Sequence, residues 1–173
     1  SNKRVQVAAL VGLNRIGKVA AAEKVVKLAQ TPAREFKLAP TPSEPFFESE
    51  VIKGKNSVDI DVKLDGSGTL VLIADPSGAN SSDHAGWFDP TLTANGKSIK
   101  LTELKWKSAD QAWGKTLVDK SCTGADLKRM DRKSFSTGIG THAASTIVYD
   151  IPEEFKDAQL TVTGAICSTG ADA

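Results

Sequence analysis

The sequence predicts a mainly β protein, an antiparallel β-sandwich that follows a short N-terminal α-helical hairpin. From Phe46 onward, apolar and polar residues alternate with a period of two, which is the pattern of strands with one buried face. Glycine-rich turn signals recur at short spacing in the same region, and many short strands with such turns are typical of β-sandwiches. A helical period of apolar residues is found in residues 3–30.

Residues 3–30 contain two predicted amphipathic helices. Apolar residues recur at helical spacing on both sides of Gly17, which supplies the turn, and Pro32 stops the second helix. Residues 4–13 resemble the first helix of a HEAT-type repeat, so we interpret residues 1–31 as a HEAT-like helix pair that ends an upstream solenoid. The alternative is a helical lead-in that packs on the following domain.

A proline-rich linker separates this helix pair from the strands. Residues 32–45 contain four of the seven prolines, a composition typical of a stiff, extended segment. We therefore expect a domain boundary there, followed by one β-sandwich over residues 46–173. Because the final predicted strand lies near the end of the given sequence, at least one closing strand is expected beyond it.

The strands are predicted from alternation, apolar runs and turn residues. Residues 58–64 alternate apolar and charged side chains, as in a half-buried antiparallel strand, whereas residues 69–74 are apolar throughout, as in a central strand buried on both faces. Residues 83–92 follow a long polar loop, and Asn95-Gly96 is a strong hairpin turn. Further strands are predicted at 99–104, 138–149 and 160–167, with a turn at 152–156.

Bulk composition excludes several classes of function. Apolar residues make up 40% and charged residues 25% of the sequence, as in an ordinary globular protein. The formal net charge of +1 gives no electrostatic case for binding nucleic acid or an anionic membrane. No apolar run is long enough for a transmembrane helix, and no signal peptide is visible.

Cysteine and histidine are scarce, with two of each. Cys122 and Cys167 could form a disulfide in a secreted protein, or they could be independent thiols. The absence of a CxxC motif excludes a zinc ribbon and covalent haem attachment within these residues. His84 and His142 each sit in a His-Ala dipeptide, and the glycines before His142 let another backbone or a ligand approach closely.

Two blocks of residues carry a family resemblance. The first block consists of Leu104-Lys105-Trp106, Ala112-Trp113-Gly114, Gly138-Ile139-Gly140-Thr141-His142-Ala143 and Val148-Tyr149-Asp150-Ile151. The second block consists of residues 58–62, residues 70–75 and Asp83-His84-Ala85-Gly86-Trp87. They resemble the front and back halves of the novel carbohydrate-binding module family, whose fold is a galactose-binding-like β-sandwich of the jelly-roll type. Ala112 stands where that family has glycine, and Ile151 stands where it has leucine.

The order of the two blocks is reversed relative to the family pattern. One explanation is a circularly permuted single domain. The other is that residues 46–93 are the tail of one module and residues 99–173 the head of another. The permuted domain is more economical, because the helices and the linker occupy the space where a missing front half would lie.

The resemblance implies a non-catalytic carbohydrate-binding accessory module of a larger multidomain bacterial protein. Its implied partners are carbohydrate and the neighbouring domains of the parent chain, and its implied location is secreted, periplasmic or at the cell surface. The alternative is a structural or protein-interaction sandwich that caps the helical repeat and binds no ligand. An enzyme is not expected, because no nucleophile elbow and no identifiable pair of catalytic acids is present.

The resemblance also directs attention to particular side chains. Sugars stack on aromatic rings and are held by carboxylates and imidazoles, and Trp87 is the preferred stacking platform because acidic residues flank it. The predicted ligand-binding set is Asp83, His84, Trp87, Asp89, His142 and Trp113. For His142 the alternative is a buried histidine bonded to a carboxylate. For Trp113 and Trp106 the alternative is packing in the core.

No cofactor is predicted. Asp75, Asn80 and Asp83 could supply oxygen ligands to Ca²⁺, but ordinary turn chemistry explains the same residues. Two histidines and an aspartate without a spacing signature are a weak basis for a metal site.

Overall fold

The protein is mainly β. The computed structural model describes residues 45–76 and 83–168, and within them it contains nine strands and two short 3₁₀ helices, Leu101–Glu103 and Glu153–Phe155. The strands are β1 Ser57–Lys63, β2 Thr69–Ala74, β3 His84–Ala94, β4 Lys97–Lys100, β5 Ser108–Gln111, β6 Leu117–Val118, β7 Gly138–His142, β8 Ser145–Asp150 and β9 Gln159–Ile166. The predicted helix pair, and the linker up to residue 44, lie outside the described residues.

The strands form two antiparallel sheets. The larger sheet has the order β1-β9-β3-β7-β6, with β4 also paired to β3, and the smaller sheet has the order β2-β8-β5. In the larger sheet, the pairing of β3 with β7 places His84 directly opposite His142 and Gly86 opposite Gly140. The two histidines are therefore neighbours because of strand register.

The two blocks of the family resemblance form shared sheets. β1 pairs with β9 over its whole length, β2 pairs with β8, and β3 lies between β9 and β7. Strands from the first stretch of the sequence thus complete sheets built by the second stretch. This pairing favours one folded unit over two partial modules, while the circular permutation stays a prediction.

A hydrophobic cluster joins residues of both sheets. Buried members come from β3, β7 and β9 of the larger sheet and from β2 and β8 of the smaller one, among them Leu70, Leu72, Leu92, Ile139, Ile147, Tyr149, Leu160 and Val162. Antiparallel pairing and alternating burial agree with the predicted mainly β class. The jelly-roll arrangement of the layers stays a prediction.

Three predicted elements differ in the structure. Residues 69–74 were expected to form a central strand buried on both faces, but β2 is an edge strand that pairs with β8 alone. Burial alternates along it and Ile73 is 45% exposed, so one face of the strand is open to solvent. The strand predicted at 99–104 ends at Lys100 and continues as a 3₁₀ helix. The strand predicted at 138–149 is divided between β7 and β8, which belong to different sheets.

Both cysteines are free thiols in the structure. Cys122 and Cys167 are buried, and burial raises the pKa of both, that of Cys167 to about 12. They are therefore neutral thiols at physiological pH.

Candidate ligand-binding site

Three aromatic rings meet at the ends of β3 and β7. His84 and His142 lie side by side with ring centroids 5.4 Å apart. The indole ring of Trp113 lies 5.3 Å from the His142 ring and 5.9 Å from the His84 ring. We call these three side chains the ring cluster. The structure thus brings together three of the six residues that the sequence predicted for a binding site.

The ring cluster is buried at its base and open at its top. His84 is 8% exposed and His142 is 4% exposed, whereas Trp113 is 56% exposed. Trp87 and Trp106 are only partly exposed and pack against the hydrophobic cluster. Trp113 is therefore the tryptophan that offers a ring to solvent.

The loop that carries Trp113 is held from both sides. The amide of Ala112 donates to the carbonyl of Ala144, and the amide of Lys115 donates to the carbonyl of Cys122. Gly114 has a φ of +74°, and a Cβ there would lie 2.7 Å from the carbonyl oxygen of Cys122. Only glycine satisfies both the left-handed backbone and this close approach, so it fixes the path of the loop.

A hydrogen-bond network supports the same loop from below. Thr116 Oγ1 donates to Gln111 Oε1 at 2.9 Å, and Gln111 Nε2 donates to the Gly114 carbonyl at 2.9 Å. Thr116 also bonds to the hydroxyl of Thr141 on β7 at 3.2 Å. Trp113 is thus positioned by a rigid turn anchored to the larger sheet.

The structure explains why a glycine, Gly140, comes two residues before His142. A Cβ at this position would lie 2.2 Å from the carbonyl oxygen of Lys120 and 2.9 Å from the Cα of Ser121. The chain before Cys122 therefore runs directly across β7. This close backbone approach, which the sequence pattern allowed, places Cys122 where its thiol contacts His84.

The hydrogen bonds of the two histidines define what their rings can recognise. His142 Nδ1 donates to the Ala143 carbonyl at 2.6 Å, so Nε2 of the neutral ring is an acceptor. His84 Nδ1 lies 3.2 Å from Cys122 Sγ. The neutral thiol can donate to Nδ1, and in that tautomer the proton of His84 is on Nε2. Within the described part of the chain, the hydrogen bonds of both rings involve Nδ1 alone.

The electrostatics of the site favour neutral imidazole at His84. Burial lowers the pKa of His84, and a positive charge on His142 lowers it further, while the carboxylate of Asp83 acts in the opposite direction. The lowered pKa keeps the His84 ring uncharged at neutral pH. A ligand that reaches His84 therefore meets an uncharged, hydrogen-bonding imidazole.

Asp83 and Asp89 differ in their relation to the ring cluster. Asp83 precedes His84 directly, and its carbonyl accepts a hydrogen bond from the Ala143 amide at 3.0 Å. Asp89 lies five residues along β3, a distance of roughly 16 Å. Its Oδ1 accepts hydrogen bonds from the amide and hydroxyl of Ser136 and from the amide of Thr137. The structure places Asp89 in a loop-holding role, away from the rings.

Trp87 does not join the ring cluster. Successive residues of a strand point to opposite faces, so Trp87 and His84, three positions apart, face opposite sides of β3. Trp87 packs against the hydrophobic cluster, and its Nε1 is buried without a hydrogen-bond partner among the described residues. Trp87 and His84 were predicted to contact the same ligand, but in the structure their side chains lie on opposite faces of β3.

The structure also bears on the structural interpretation of His142 and on the possible metal ligands. His142 is buried, as its structural interpretation predicted, but its hydrogen-bond partner is a backbone carbonyl rather than the predicted carboxylate. Of the possible calcium ligands, Asn80 lies outside the described residues. Within residues 45–76 and 83–168, no group of three or more His, Cys, Asp or Glu side chains is arranged to hold a metal ion.

Residues 97–164 match the family model described as the NPCBM/NEW2 domain. This stretch runs from β4 into β9 and includes Trp113, Cys122 and His142. The matched domain is a carbohydrate-binding-like module, so this part of the chain resembles such modules, while His84 lies outside the match. No curated protein and no solved structure matches the chain. In the described residues, no helix is long and apolar enough to cross a membrane.

The sequence did not predict that Cys122 and the turn that carries Trp113 lie beside the histidines. Cys122 lies 38 residues after His84 and is also well separated from His142 in the sequence, and no motif links it to either histidine. The one available signal was the pair of glycines before His142, because Gly140 marks where another backbone crosses the strand. The identity of that backbone became visible only in the structure.

Proposed function

We propose that this chain contains a non-catalytic carbohydrate-binding module in which the ring cluster is the binding site. The observation that carries the proposal is an exposed tryptophan that packs on two histidines. Trp113 and His142 lie in the stretch that matches a carbohydrate-binding-like module. Aromatic rings present flat apolar surfaces of the kind that the C–H face of a sugar can cover.

The histidines supply the polar half of the recognition. The Nε2 atom of His142 accepts a hydrogen bond from a sugar hydroxyl, and the Nε2–H group of His84 donates one to a hydroxyl oxygen. A donor and an acceptor side by side suit a pair of neighbouring hydroxyls. Cys122 acts as a positioning residue, because a hydrogen bond from its thiol to Nδ1 keeps the proton of His84 on Nε2.

The proposal includes the biological setting implied by the resemblance. The module works outside the cytoplasm as an accessory part of a larger multidomain protein. Binding by one shallow site is weak, and linkage to further domains raises the overall avidity of the parent.

Calorimetric titration against neutral oligosaccharides tests the site. Trp113→Ala should weaken binding at least about tenfold, because truncation of an aromatic anchor removes the central contact. Phe46→Ala is a matched control, since Phe46 is also an exposed aromatic residue, at 55%. Equal affinity of the Trp113→Ala variant and the unaltered protein would show that the ligand does not stack on the ring cluster.

A structural module is the second candidate, and the low exposure of both histidines favours it. In that case the histidines hold β3 and β7 together and no saccharide binds. His142→Ala would then lower the free energy of unfolding, and no member of a broad glycan panel would give a binding signal. Saccharide binding that is lost in Trp113→Ala decides against this candidate.

A further inference from the structure

A second concave surface lies away from the ring cluster. It is a cleft with a volume of about 600 Å³, which is within the usual range for small-molecule sites. Its walls come from the loop before β1, from the segment that leads toward β7 and from the chain after β9. The cationic and aromatic residues that line it are Lys55, Lys128, Arg129, Arg132, Lys133 and Phe135.

The lining of this basic cleft is positively charged. It contains five cationic side chains and no acidic one, although the formal net charge of the chain is only +1. Two acids of the same segment form ion pairs with other residues, Asp131 with Arg129 and Asp126 with Lys120. Their carboxylates also feel the charges of Lys133 and Lys128, respectively, without forming an ion pair with them. Within the described part of the chain, the ammonium groups of Lys55, Lys128 and Lys133 make no hydrogen bond or ion pair.

The floor of the basic cleft is rigid. Arg129 is 7% exposed and binds Asp131 through two hydrogen bonds, from Nε at 2.9 Å and from Nη2 at 2.6 Å. Its guanidinium lies 5.3 Å from the centre of the Phe88 ring, and Phe88 in turn packs edge-on against Phe135 at 4.7 Å. Arg129 therefore shapes the cleft, while the lysines remain available at its rim.

Backbone pairing fixes the segment that carries these cations. The Met130 amide donates to the Ile166 carbonyl, and the Ser168 amide donates to the Lys128 carbonyl. Arg129 forms a β-bridge with Cys167. The rim is thus built on a strand-like extension of β9, so the charges are held in a defined arrangement.

We propose that the basic cleft binds an acidic sugar residue, one that carries a carboxylate or a sulfate group. Lys128 and Lys133 pair with the anionic group, and the partly buried ring of Phe135 contacts the apolar face of the sugar. The polysaccharide context rests on the proposed function of the ring cluster. The cleft is a separate site with its own residues.

Strand β3 relates the position of the basic cleft to that of the ring cluster. His84 and Phe88 project from the same face of β3, because they are four residues apart, and they are separated by about 13 Å along the strand. The ring cluster and the basic cleft therefore lie over one face of the larger sheet. A concave cleft on a nearly neutral protein fits one or two sugar residues better than the extended charged track that a nucleic acid requires.

Titration of the full chain with short ligands tests the proposal. The probes are oligogalacturonate for carboxylate, a sulfated galactan oligosaccharide for sulfate, the unsulfated oligosaccharide and a single-stranded DNA oligonucleotide. The double variant K128A/K133A should bind the preferred acidic oligosaccharide about tenfold more weakly than the unaltered protein. The double variant K63A/K97A, which removes the same charge from exposed positions elsewhere, should bind it normally.

The outcomes separate this site from the ring cluster. Acidic binding that survives Trp113→Ala but is lost in K128A/K133A supports the cleft. Equal loss in K63A/K97A, no acidic binding at all, or DNA bound more tightly than either acidic oligosaccharide overturns it. Neutral oligosaccharide binding at Trp113 without acidic binding refutes the cleft alone, whereas acidic binding without neutral binding refutes only the ring cluster.

Discussion

His84 shows how burial and a thiol set the state of one side chain. Its ring packs against the rings of both His142 and Trp113, and the Cys122 thiol contacts its Nδ1 at 3.2 Å. Burial and the neighbouring imidazole both disfavour its charged form. The pKa of this residue is therefore lower in the folded protein than in the unfolded chain.

The lowered pKa predicts a loss of stability in mild acid. Above the ordinary histidine pKa of 6.5, the His84 ring is neutral in both the folded and the unfolded state, so its contribution to the free energy of unfolding is fully present. As the pH falls below that value, the unfolded chain takes up a proton before the folded protein does, so the free energy of unfolding decreases. Urea denaturation between pH 7.5 and 5 measures this slope.

The variant His84→Gln isolates the contribution of His84. It removes the titrating ring, so its stability should change less between pH 7.5 and 5 than that of the unaltered protein. An identical slope in the two proteins would assign the acid sensitivity to other groups. Asp89 contributes to acid sensitivity only at lower pH. Burial raises the pKa of its carboxyl, but hydrogen bonds from Ser136 and Thr137 and the charge of Lys100 outweigh burial and lower the pKa below the ordinary aspartate value.

Gly140 gives a prediction about packing at the residue scale. Gly140→Ala should lower the free energy of unfolding by about 2–3 kcal/mol, because its Cβ would overlap the Lys120 carbonyl at 2.2 Å. Gly164→Ala is the matched control on β9, where the nearest atom would be a side-chain carbon of Val58 at 3.1 Å. Thermal denaturation should rank the control as the milder change.

At the scale of elements, two aspartates hold the chain that enters β7. Asp89 accepts three hydrogen bonds from Ser136 and Thr137, and Asp119 accepts one each from Thr137 Oγ1 and the Gly138 amide. Both aspartates have positive φ, 48° and 54°, a conformation that aspartate tolerates better than most residues. Side-chain acceptors thus replace strand pairing where β7 begins.

Asp89→Ala should therefore destabilise the fold by about 2 kcal/mol, since it removes a charged acceptor and leaves amide donors unsatisfied. Asp89→Asn keeps one side-chain oxygen and tolerates the left-handed backbone, so its loss should be smaller. Chemical denaturation provides both values. If alanine and asparagine were equally costly, charge rather than hydrogen-bond geometry would dominate this loop.

The sequence predicted elements better than it predicted their partners. Alternation located β1 and β9, and Asn95-Gly96 located the turn between β3 and β4. Periodicity could not show that β2 lies at an edge or that the chain changes sheets between β7 and β8, because both depend on distant pairing. The same limit applied to the candidate site. The two predicted histidines lie next to each other, whereas the predicted Trp87 lies on the opposite face of β3, and strand register decides both positions.

On the scale of the whole molecule, the matched domain and the folded unit have different boundaries. The family match begins at residue 97, yet β3 occupies the middle of the larger sheet and contacts β4, β7 and β9. A chain without β1, β2 and β3 would leave both sheets incomplete. The matched stretch therefore depends on the strands that precede it.

A fragment of residues 97–173 is expected to be unfolded, whereas a fragment of residues 45–173 should fold. The shorter fragment lacks β3, which lies between β7 and β9, and β2, which is one of the two partners of β8, so much of its apolar surface would face water. Amide dispersion in a proton–nitrogen correlation spectrum distinguishes the two states. A well-dispersed spectrum from the shorter fragment would contradict this dependence.

The unequal exposure of the three tryptophans gives the protein an optical probe of its own. Trp87 and Trp106 pack against the hydrophobic cluster, whereas Trp113 faces solvent. A water-soluble quencher should therefore suppress mainly the long-wavelength part of the intrinsic emission, which comes from Trp113. A saccharide that covers this indole would shield it from the quencher and shift the emission to the blue, so occupancy can be followed without any attached dye.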